Sequence, residues 1–330
     1  MPRNPKIFFH GGCHFITMSV EEGFMFPPNL LINEVIKKCL AQAQALHPVR
    51  ISDIQVLSTH IHLFIQVINP QDVVDFIERF KCESAHIINR LLGRKKKTVW
   101  CEGYDSPLID DLPTAISKIA YIYENPSKDG LVGSIRQYSG VNSYQQRLQA
   151  ADTGAFTKTY STRRIARSDF KALPKKTRLS LEDYRKLRRK LIRNKPKAHF
   201  QIDQVTWMER FGVITDEEKR RVCKQIIAEV AAREEGHHAT RKAEGRSVLG
   251  ARRVAEQPIG TLYIPERTGR RMLTHSEDPE IRKRTIRWMK ELIYRGKEVL
   301  LQWWQGDLTI PYPPGLFPPT GPRMVEPIYW

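Results

Sequence analysis

The chain has no long apolar runs and few cysteines, and both scarcities limit what it can be. No stretch of its 330 residues approaches the ~18 consecutive apolar residues of a membrane-spanning helix. The first residues, Met1–Lys6, contain no hydrophobic segment typical of a secretion signal. The five cysteines are scattered and form no C-x-x-C pair. We therefore expect a cytoplasmic protein with reduced thiols and no contact with a membrane.

Positive charge, by contrast, is in excess and unevenly spread. The chain has 54 Lys and Arg residues against 36 Asp and Glu, a net charge of +18. Residues 156–197 alone contain 16 basic residues against three acidic ones. Such a concentration is typical of a nucleic-acid contact, and a solvated basic linker is the alternative. The candidate DNA-binding residues are Arg94, Lys95, Lys96, Lys97, Arg185, Lys186, Arg188, Arg189 and Lys190.

The pattern of apolar residues predicts the secondary structure of the first 150 residues. It gives a strand, a helix, two strands joined near Ser58, a helix, a strand at 98–101 and a third helix. Asn29 is a suitable N-cap for the first helix, Gly93 ends the second, and Asn125, which precedes a proline, ends the third. This order predicts an α+β fold with a largely antiparallel sheet and helices on one face.

The remainder of the chain is predicted to be mainly helical. Helices are expected at 215–234 and 278–304, with a flexible basic loop at 236–250 between them and an extended proline-rich tail at 311–319. We expect three parts: a catalytic domain at 1–150, a basic DNA-contact segment at 151–197 and a helical region at 198–330.

Two histidines stand close together in a stretch of β-branched and apolar residues. Because side chains alternate along a strand, His60 and His62 should emerge side by side on one face. Two imidazoles at that spacing can bind one metal ion, and zinc would compete for them. Two hydrogen-bonded core histidines are the alternative.

A second group of polar residues lies about sixty residues further along, on the third helix. Tyr121 and Asn125 are one helical turn apart and project from one face, whereas Tyr123 is turned about 200° away. A tyrosine beside a metal site can act as a nucleophile. A core aromatic residue is the alternative for Tyr121.

In combination, these motifs resemble a known family. The His60-Ile61-His62 strand followed by Tyr121-Ile-x-x-Asn125-Pro-x-x-x-Gly-Leu-Val resembles the HUH single-tyrosine transposases, in particular the branch associated with REP elements. Gly11-Gly12-x-x-Phe15-x-Thr17 and Trp100 also fit that branch. The resemblance covers about residues 7–145. The basic and C-terminal parts lie outside it.

The resemblance implies a fold, a site and a reaction. The fold would be a ferredoxin-like or RRM-like sheet. His60, His62 and Asn125 would bind Mg²⁺ or Mn²⁺, and Tyr121 would attack single-stranded DNA to give a 5′-phosphotyrosine. The expected partner is single-stranded, hairpin-forming repeat DNA in the nucleoid. A homodimer is left open.

Two other functions remain as alternatives. One is a DNA-binding regulator that has lost cleavage, although four intact site residues argue against loss. The other is a replication initiator or relaxase with the same chemistry. The absence of a G-x-x-x-x-G-K-[ST] motif makes that alternative weaker.

Overall fold

The computed structural model describes residues 5–21, 24–95, 97–173, 179–259 and 272–318, which form one seven-stranded sheet and eight α-helices. The strands are β1 (Cys13–Ser19), β2 (Arg50–Val56), β3 (His60–Gln66), β4 (Leu108–Ile109), β5 (Thr157–Arg163), β6 (Lys197–Asp203) and β7 (Thr274–His275). The helices are α1 (Leu30–Leu46), α2 (Pro70–Leu91), α3 (Leu112–Lys128), α4 (Tyr144–Thr153), α5 (Leu181–Ile192), α6 (Asp216–Ala243), α7 (Ala251–Ala255) and α8 (Pro279–Trp304).

The sheet is built around a ferredoxin-like centre. Its strand order is β5-β6-β2-β3-β1-β4-β7. The four central strands β2-β3-β1-β4 pair antiparallel with one another, while β6 joins β2 and β7 joins β4 in parallel. With α1 between β1 and β2 and α2 between β3 and β4, this is the β-α-β-β-α-β arrangement. The predicted α+β fold with a helical C-terminal extension is confirmed.

The two faces of the sheet carry different helices. Ile16 and Met18 of β1 pack in the core formed with α1 and α2, whereas Cys13 and Phe15 pack in the core formed with α3 and α6. α1 and α2 therefore lie on one face, as predicted for the ferredoxin-like centre, whereas α3, which the prediction included with them, lies on the other face. The other face is covered too, because α6 buries Val222 and its apolar neighbours in the core that contains α3.

The helix ends follow local chemistry with one exception. Asn29 caps α1 by accepting the N–H groups of the first turn, and Gly93 follows α2 with a φ of 61°. The predicted end of α3 at Asn125 is wrong, because the helix continues to Lys128. Proline removes one N–H donor, but the last turn still closes when the N–H of Asp129 donates to Asn125 O at 2.9 Å.

The predicted strand at 98–101 is largely absent. Trp100 makes a single bridge to Val20, and the regular pairing with β1 is made later, by β4. The left-handed residue Gly103 and Pro107 lie between these contacts and interrupt the ladder. The segment therefore follows β1 irregularly.

The C-terminal half extends the same sheet. β5 pairs with β6, and β6 pairs with β2 through Ile202 and Ile51. The sheet therefore crosses both predicted boundaries of the chain, at residues 150 and 197. The three-part division of the chain stays a prediction. The helix predicted at 278–304 is confirmed as α8.

The predicted basic loop at 236–250 is shorter than expected, since α6 continues to Ala243. Contacts of Arg233 and Arg241 with α3 stabilise the added turns. The described part of the proline-rich tail returns to the N-terminus, where the N–H of Phe8 donates to Gly315 O at 2.9 Å. Among the described helices, none is long and apolar enough to span a bilayer.

Candidate active site

The site begins with the two histidines of β3. His60 and His62 point to the same face of the sheet, towards α3, and their ring centres are 4.6 Å apart. In the register with β1, His62 lies opposite Thr17 and His60 lies opposite Ser19. The predicted side-by-side placement of the two imidazoles is present in the structure.

Both imidazoles are arranged to offer a lone pair. His62 Nδ1 lies 3.0 Å from Thr17 Oγ1, while His62 Nε2 is buried without a hydrogen-bond partner among the described residues. His60 Nδ1 lies 2.9 Å from Thr59 Oγ1. When Nδ1 carries the proton and donates it to the threonine hydroxyl, Nε2 is free to bind a cation.

Burial keeps these histidines neutral. Desolvation, together with the charge of Lys128, lowers the pKa of His60 to about 4. Burial, assisted by His60 and Lys128, lowers the pKa of His62 well below its usual value. Neutral imidazole is the form that binds metal ions, so both side chains are ready to bind at pH 7.

α3 brings the tyrosine to the histidines. The Tyr121 ring centre is 5.7 Å from that of His62, and its edge packs against Phe15 of β1 at 6.1 Å. Tyr121 remains partly exposed. Asn125 is one turn further along α3 and is buried, and its Nδ2 donates to Tyr121 O at 2.5 Å. That bond uses the amide nitrogen and leaves Oδ1 as the atom that could contact a cation.

Two lysines that were not predicted flank the tyrosine. Lys128 Nζ is 4.7 Å from the Tyr121 ring centre, and Lys118 Nζ is 5.8 Å from it. Both stand on the same side of α3 as Tyr121, since Lys118 precedes it by three residues and Lys128 follows it by seven. That spacing was the signal available in the sequence. Their charge attracts a phosphate.

Tyr123 has a very different environment. It is fully buried, and its hydroxyl is bonded to Asp53 and lies 2.8 Å from Ser143 Oγ. Arg147 Nη2 donates to both oxygens of Asp53 at 2.6 Å. Burial and the neighbouring Asp53 raise the pKa of Tyr123 well above its usual value. Tyr123 is therefore unsuited to leave this network and attack a substrate.

The candidate metal ligands are few. Within the described ranges, no three His, Cys, Asp or Glu side chains gather into a group that could hold a metal ion. A site here would therefore depend on the two imidazoles, with the amide oxygen of Asn125 as the added protein ligand. An incomplete set of protein ligands leaves positions for water and a phosphate oxygen, which suits Mg²⁺.

The predicted DNA-binding residues of the 94–97 turn have different surroundings. Arg94 Nε donates to Asn89 Oδ1 at 2.9 Å, and the guanidinium stacks over Phe24, so Arg94 stabilises its own loop. Lys95 and Lys97 are exposed, while Lys96 lies outside the described residues.

The basic residues of α5 lie on the other side of the sheet from His60. α5 packs in the core shared by α1 and α2, and Arg188 donates to Glu34 Oε1 of α1 through Nε at 2.9 Å and Nη2 at 2.8 Å. The other four predicted residues are exposed: Arg185, Lys186, Arg189 and Lys190. Arg188 therefore holds α5 in place. Arg185 and Arg189 also pair with the exposed Glu182 of α5 at 3.3 and 3.9 Å, so a polyanion would compete with that carboxylate for them.

The chain is similar to known proteins at the level of a family model and of a solved structure. No curated protein sequence matches the chain. A solved structure described as "Structure of the REP associates tyrosine transposase bound to a REP hairpin" has 17% identity and a TM-score of 0.38, over 45% of this chain and 86% of that one. Residues 10–125 match the family model "Transposase IS200 like", a range that contains the histidine pair, Tyr121 and Asn125. This match confirms the resemblance to the tyrosine transposases for the first part of the chain.

Proposed function

We propose that this protein is a metal-dependent endonuclease and strand transferase for single-stranded DNA, with Tyr121 as its nucleophile. The observation that carries the proposal is the juxtaposition of a partly exposed tyrosine, two neutral imidazoles and two lysines. Among the described residues, His62 Nε2 in particular is buried without a partner, which is costly unless a ligand uses it. A cation is the ligand that fits this nitrogen together with the adjacent imidazole of His60.

In the reaction, Tyr121 Oη attacks the phosphorus of a phosphodiester and loses its proton. The bond between phosphorus and the 3′ oxygen breaks, and that oxygen takes up a proton to become a free 3′-hydroxyl. Lys118 and Lys128 stabilise the developing charge because both cations face the tyrosine. The product is a 5′-phosphotyrosine, which keeps the energy of the phosphoester.

His60, His62 and Asn125 would hold the metal, Mg²⁺ or Mn²⁺. When bound, such an ion polarises the scissile phosphate and offsets the charge on its oxygens. The chain's own contribution is to keep both imidazoles neutral and fixed by Thr17 and Thr59.

The covalent intermediate permits joining as well as cleavage. A 3′-hydroxyl from a second strand attacks the phosphotyrosine and releases Tyr121, which is the reverse of the first step. We infer that the substrate is hairpin-forming repeat DNA, on the strength of the family resemblance. Such a substrate places the protein with the nucleoid in the cytoplasm.

The exposed cations of α5 and of the 94–97 turn are proposed to bind flanking DNA through its phosphates. Alanine at Arg185, Lys186, Arg189 and Lys190 should flatten the salt dependence of single-strand binding by up to about 3 units of slope, at ~0.7 for each phosphate contact. Arg188 is left in place because it anchors α5. An unchanged slope would show that α5 meets no DNA.

The direct test of the proposed function is trapping of a protein–DNA adduct on a labelled single strand that carries inverted repeats. Adduct should form with Mg²⁺ or Mn²⁺ and disappear in EDTA. His60→Ala and His62→Ala should each lower its rate by about 100-fold or more, since a bound cation supplies several kcal/mol to the transition state. DNA affinity should change little.

Full adduct formation in EDTA would contradict the metal dependence. Strong DNA binding with no adduct under any condition would favour the non-catalytic regulator instead.

A further inference from the structure

A basic pocket of about 510 Å³ lies next to the candidate active site. It is enclosed by the end of α3, the last turns of α6 and the segment leading into α7. Its lining includes Lys128, Asp129, Thr240, Arg241, Arg246 and Arg253. All of these lining residues lie beyond the range of the family match, which ends at Asn125.

Backbone hydrogen bonds hold the far wall of the pocket against the segment that follows α3. The N–H of Leu249 donates to Gly130 O at 2.8 Å, and the N–H of Gly250 donates to Leu131 O at 2.9 Å. The buried Arg241 side chain donates to Ser127 O at 2.5 Å and so fixes α6 to the end of α3. The pocket is therefore part of the folded protein and needs no partner to form.

Its charge suits an anion. The side chains of Lys128, Arg241, Arg246 and Arg253 supply four cations, against the single carboxylate of Asp129. Arg246 is also paired with the exposed Glu244, which is not among the lining residues. His237, a further lining residue, is hydrogen-bonded to Glu124 at 3.0 Å. The balance remains positive, as a phosphate group requires.

The pocket is continuous with the site through one side chain. Lys128 lines the pocket, and its Nζ is 4.7 Å from the Tyr121 ring centre. A phosphodiester held beside Tyr121 would therefore have its neighbouring nucleotide at the mouth of the pocket. The volume lies in the range of small-molecule sites, which accommodates one nucleotide but not a duplex.

We propose that this pocket binds one unpaired nucleotide, with its phosphate, from the DNA strand that occupies the Tyr121 site. This inference rests on the proposed function. No Phe, Tyr or Trp ring is among the lining residues that the structure describes, and the imidazole of His237 is hydrogen-bonded to Glu124, so the phosphate supplies the affinity. The pocket therefore positions the strand with little preference for the base.

Two pairs of matched variants test the pocket. Thr240→Trp fills it without a change in charge, and Ala239→Trp places the same bulk on the neighbouring exposed position of α6. Arg253→Ala removes a cation of the lining, and Arg252→Ala removes an adjacent exposed cation that pairs with Glu256 instead. The probe is a labelled oligothymidylate, whose dissociation constant is measured by anisotropy at several salt concentrations.

Thr240→Trp should weaken binding about tenfold relative to Ala239→Trp, which corresponds to the loss of one charge-assisted phosphate contact. Arg253→Ala should flatten the salt slope by about 0.7, and Arg252→Ala should leave it unchanged. The same ranking on oligodeoxyadenylate would support a phosphate-based site.

The proposal is overturned if both members of each pair bind the probe alike. Adduct trapping on the same proteins separates this result from failure of the proposed function. If the wild-type protein forms the adduct but the two members of each pair bind the probe alike, only the pocket proposal is overturned. If no adduct forms but the variants show the predicted differences in binding, the pocket proposal stands and the proposed catalytic function fails.

Discussion

Tyr121 and Tyr123 stand two residues apart on one helix and occupy opposite kinds of environment. Tyr121 is partly exposed and is surrounded by imidazoles and lysines, whereas Tyr123 is fully buried in a network with Asp53 and Arg147. Among the described residues, each environment leaves one buried nitrogen without a partner, and these are His62 Nε2 in the first and Arg147 Nε in the second. The imidazole nitrogen has a lone pair that can bind a cation, whereas the guanidinium nitrogen can only donate. In the second, the tyrosine hydroxyl and both carboxylate oxygens are paired.

The difference separates a reactive group from a structural one. A buried network in which the carboxylate is paired with both a guanidinium and a hydroxyl resists the loss of any one member. A site for chemistry needs unused lone pairs and access for a substrate, at some cost in stability. Substitutions should therefore affect mainly stability around Tyr123 and mainly chemistry around Tyr121.

The largest effect is expected from Arg147→Met. This change leaves the Asp53 carboxylate buried without its ion-pair partner, and the free energy of unfolding should fall by about 3–5 kcal/mol. Urea denaturation measures it. Lys128→Met, which removes an exposed cation beside Tyr121, is the control and should change stability by less than about 0.5 kcal/mol. Equal losses in the two variants would remove the distinction between the environments.

A smaller effect concerns pH. His60 has a folded-state pKa of about 4 and that of His62 is also lowered, so the unfolded chain binds more protons between about pH 4 and 6.5. Stability should therefore decrease as pH falls through that window. The slope of the unfolding free energy against pH should be lower in the double variant His60→Gln/His62→Gln, by up to about 1.4 kcal/mol per pH unit for each histidine.

The measurement is urea denaturation at a series of pH values. The other buried histidines with a lowered pKa, His14 and His275, are present in both proteins and cancel in the difference. Parallel curves for wild type and variant would mean that the two imidazoles bind protons equally in the folded and unfolded states, which would contradict the lowered pKa values.

The smallest effect on stability compares the tyrosines themselves. Tyr123→Phe removes a buried hydroxyl bonded to Asp53, and we expect a loss of about 1–3 kcal/mol. Tyr121→Phe should stay within about 0.5 kcal/mol of wild type. Thermal denaturation of both variants, side by side, gives the comparison. A larger loss from Tyr121→Phe would identify it as a core residue.

The sequence was sufficient for features that depend on neighbouring residues. The N-cap at Asn29, the left-handed Gly93 and the paired orientation of His60 and His62 all follow from local rules, and the structure contains them. Lys128 was within reach of the same reasoning, since it stands two turns from Tyr121 on α3.

Features that depend on distant contacts could not be predicted. Asp53 meets Tyr123 across 70 positions of sequence, and β6 pairs with β2 although Ile202 and Ile51 are far apart in the chain. α6 extends beyond its predicted end because Arg233 finds Glu124 on α3. Tertiary packing decides such contacts, and periodicity does not contain that information. The roles of the site residues and the division into domains stay predictions.

The identity of the residue that bonds to DNA tests the central claim most directly. The adduct formed on single-stranded DNA with Mn²⁺ is digested with protease and nuclease, and mass spectrometry locates the remaining nucleotide. We predict that the modified residue is Tyr121, that Tyr121→Phe forms no adduct, and that Tyr123→Phe forms it in proportion to its folded fraction. An adduct on Tyr123, or one that persists in Tyr121→Phe, would contradict the assignment of the two environments.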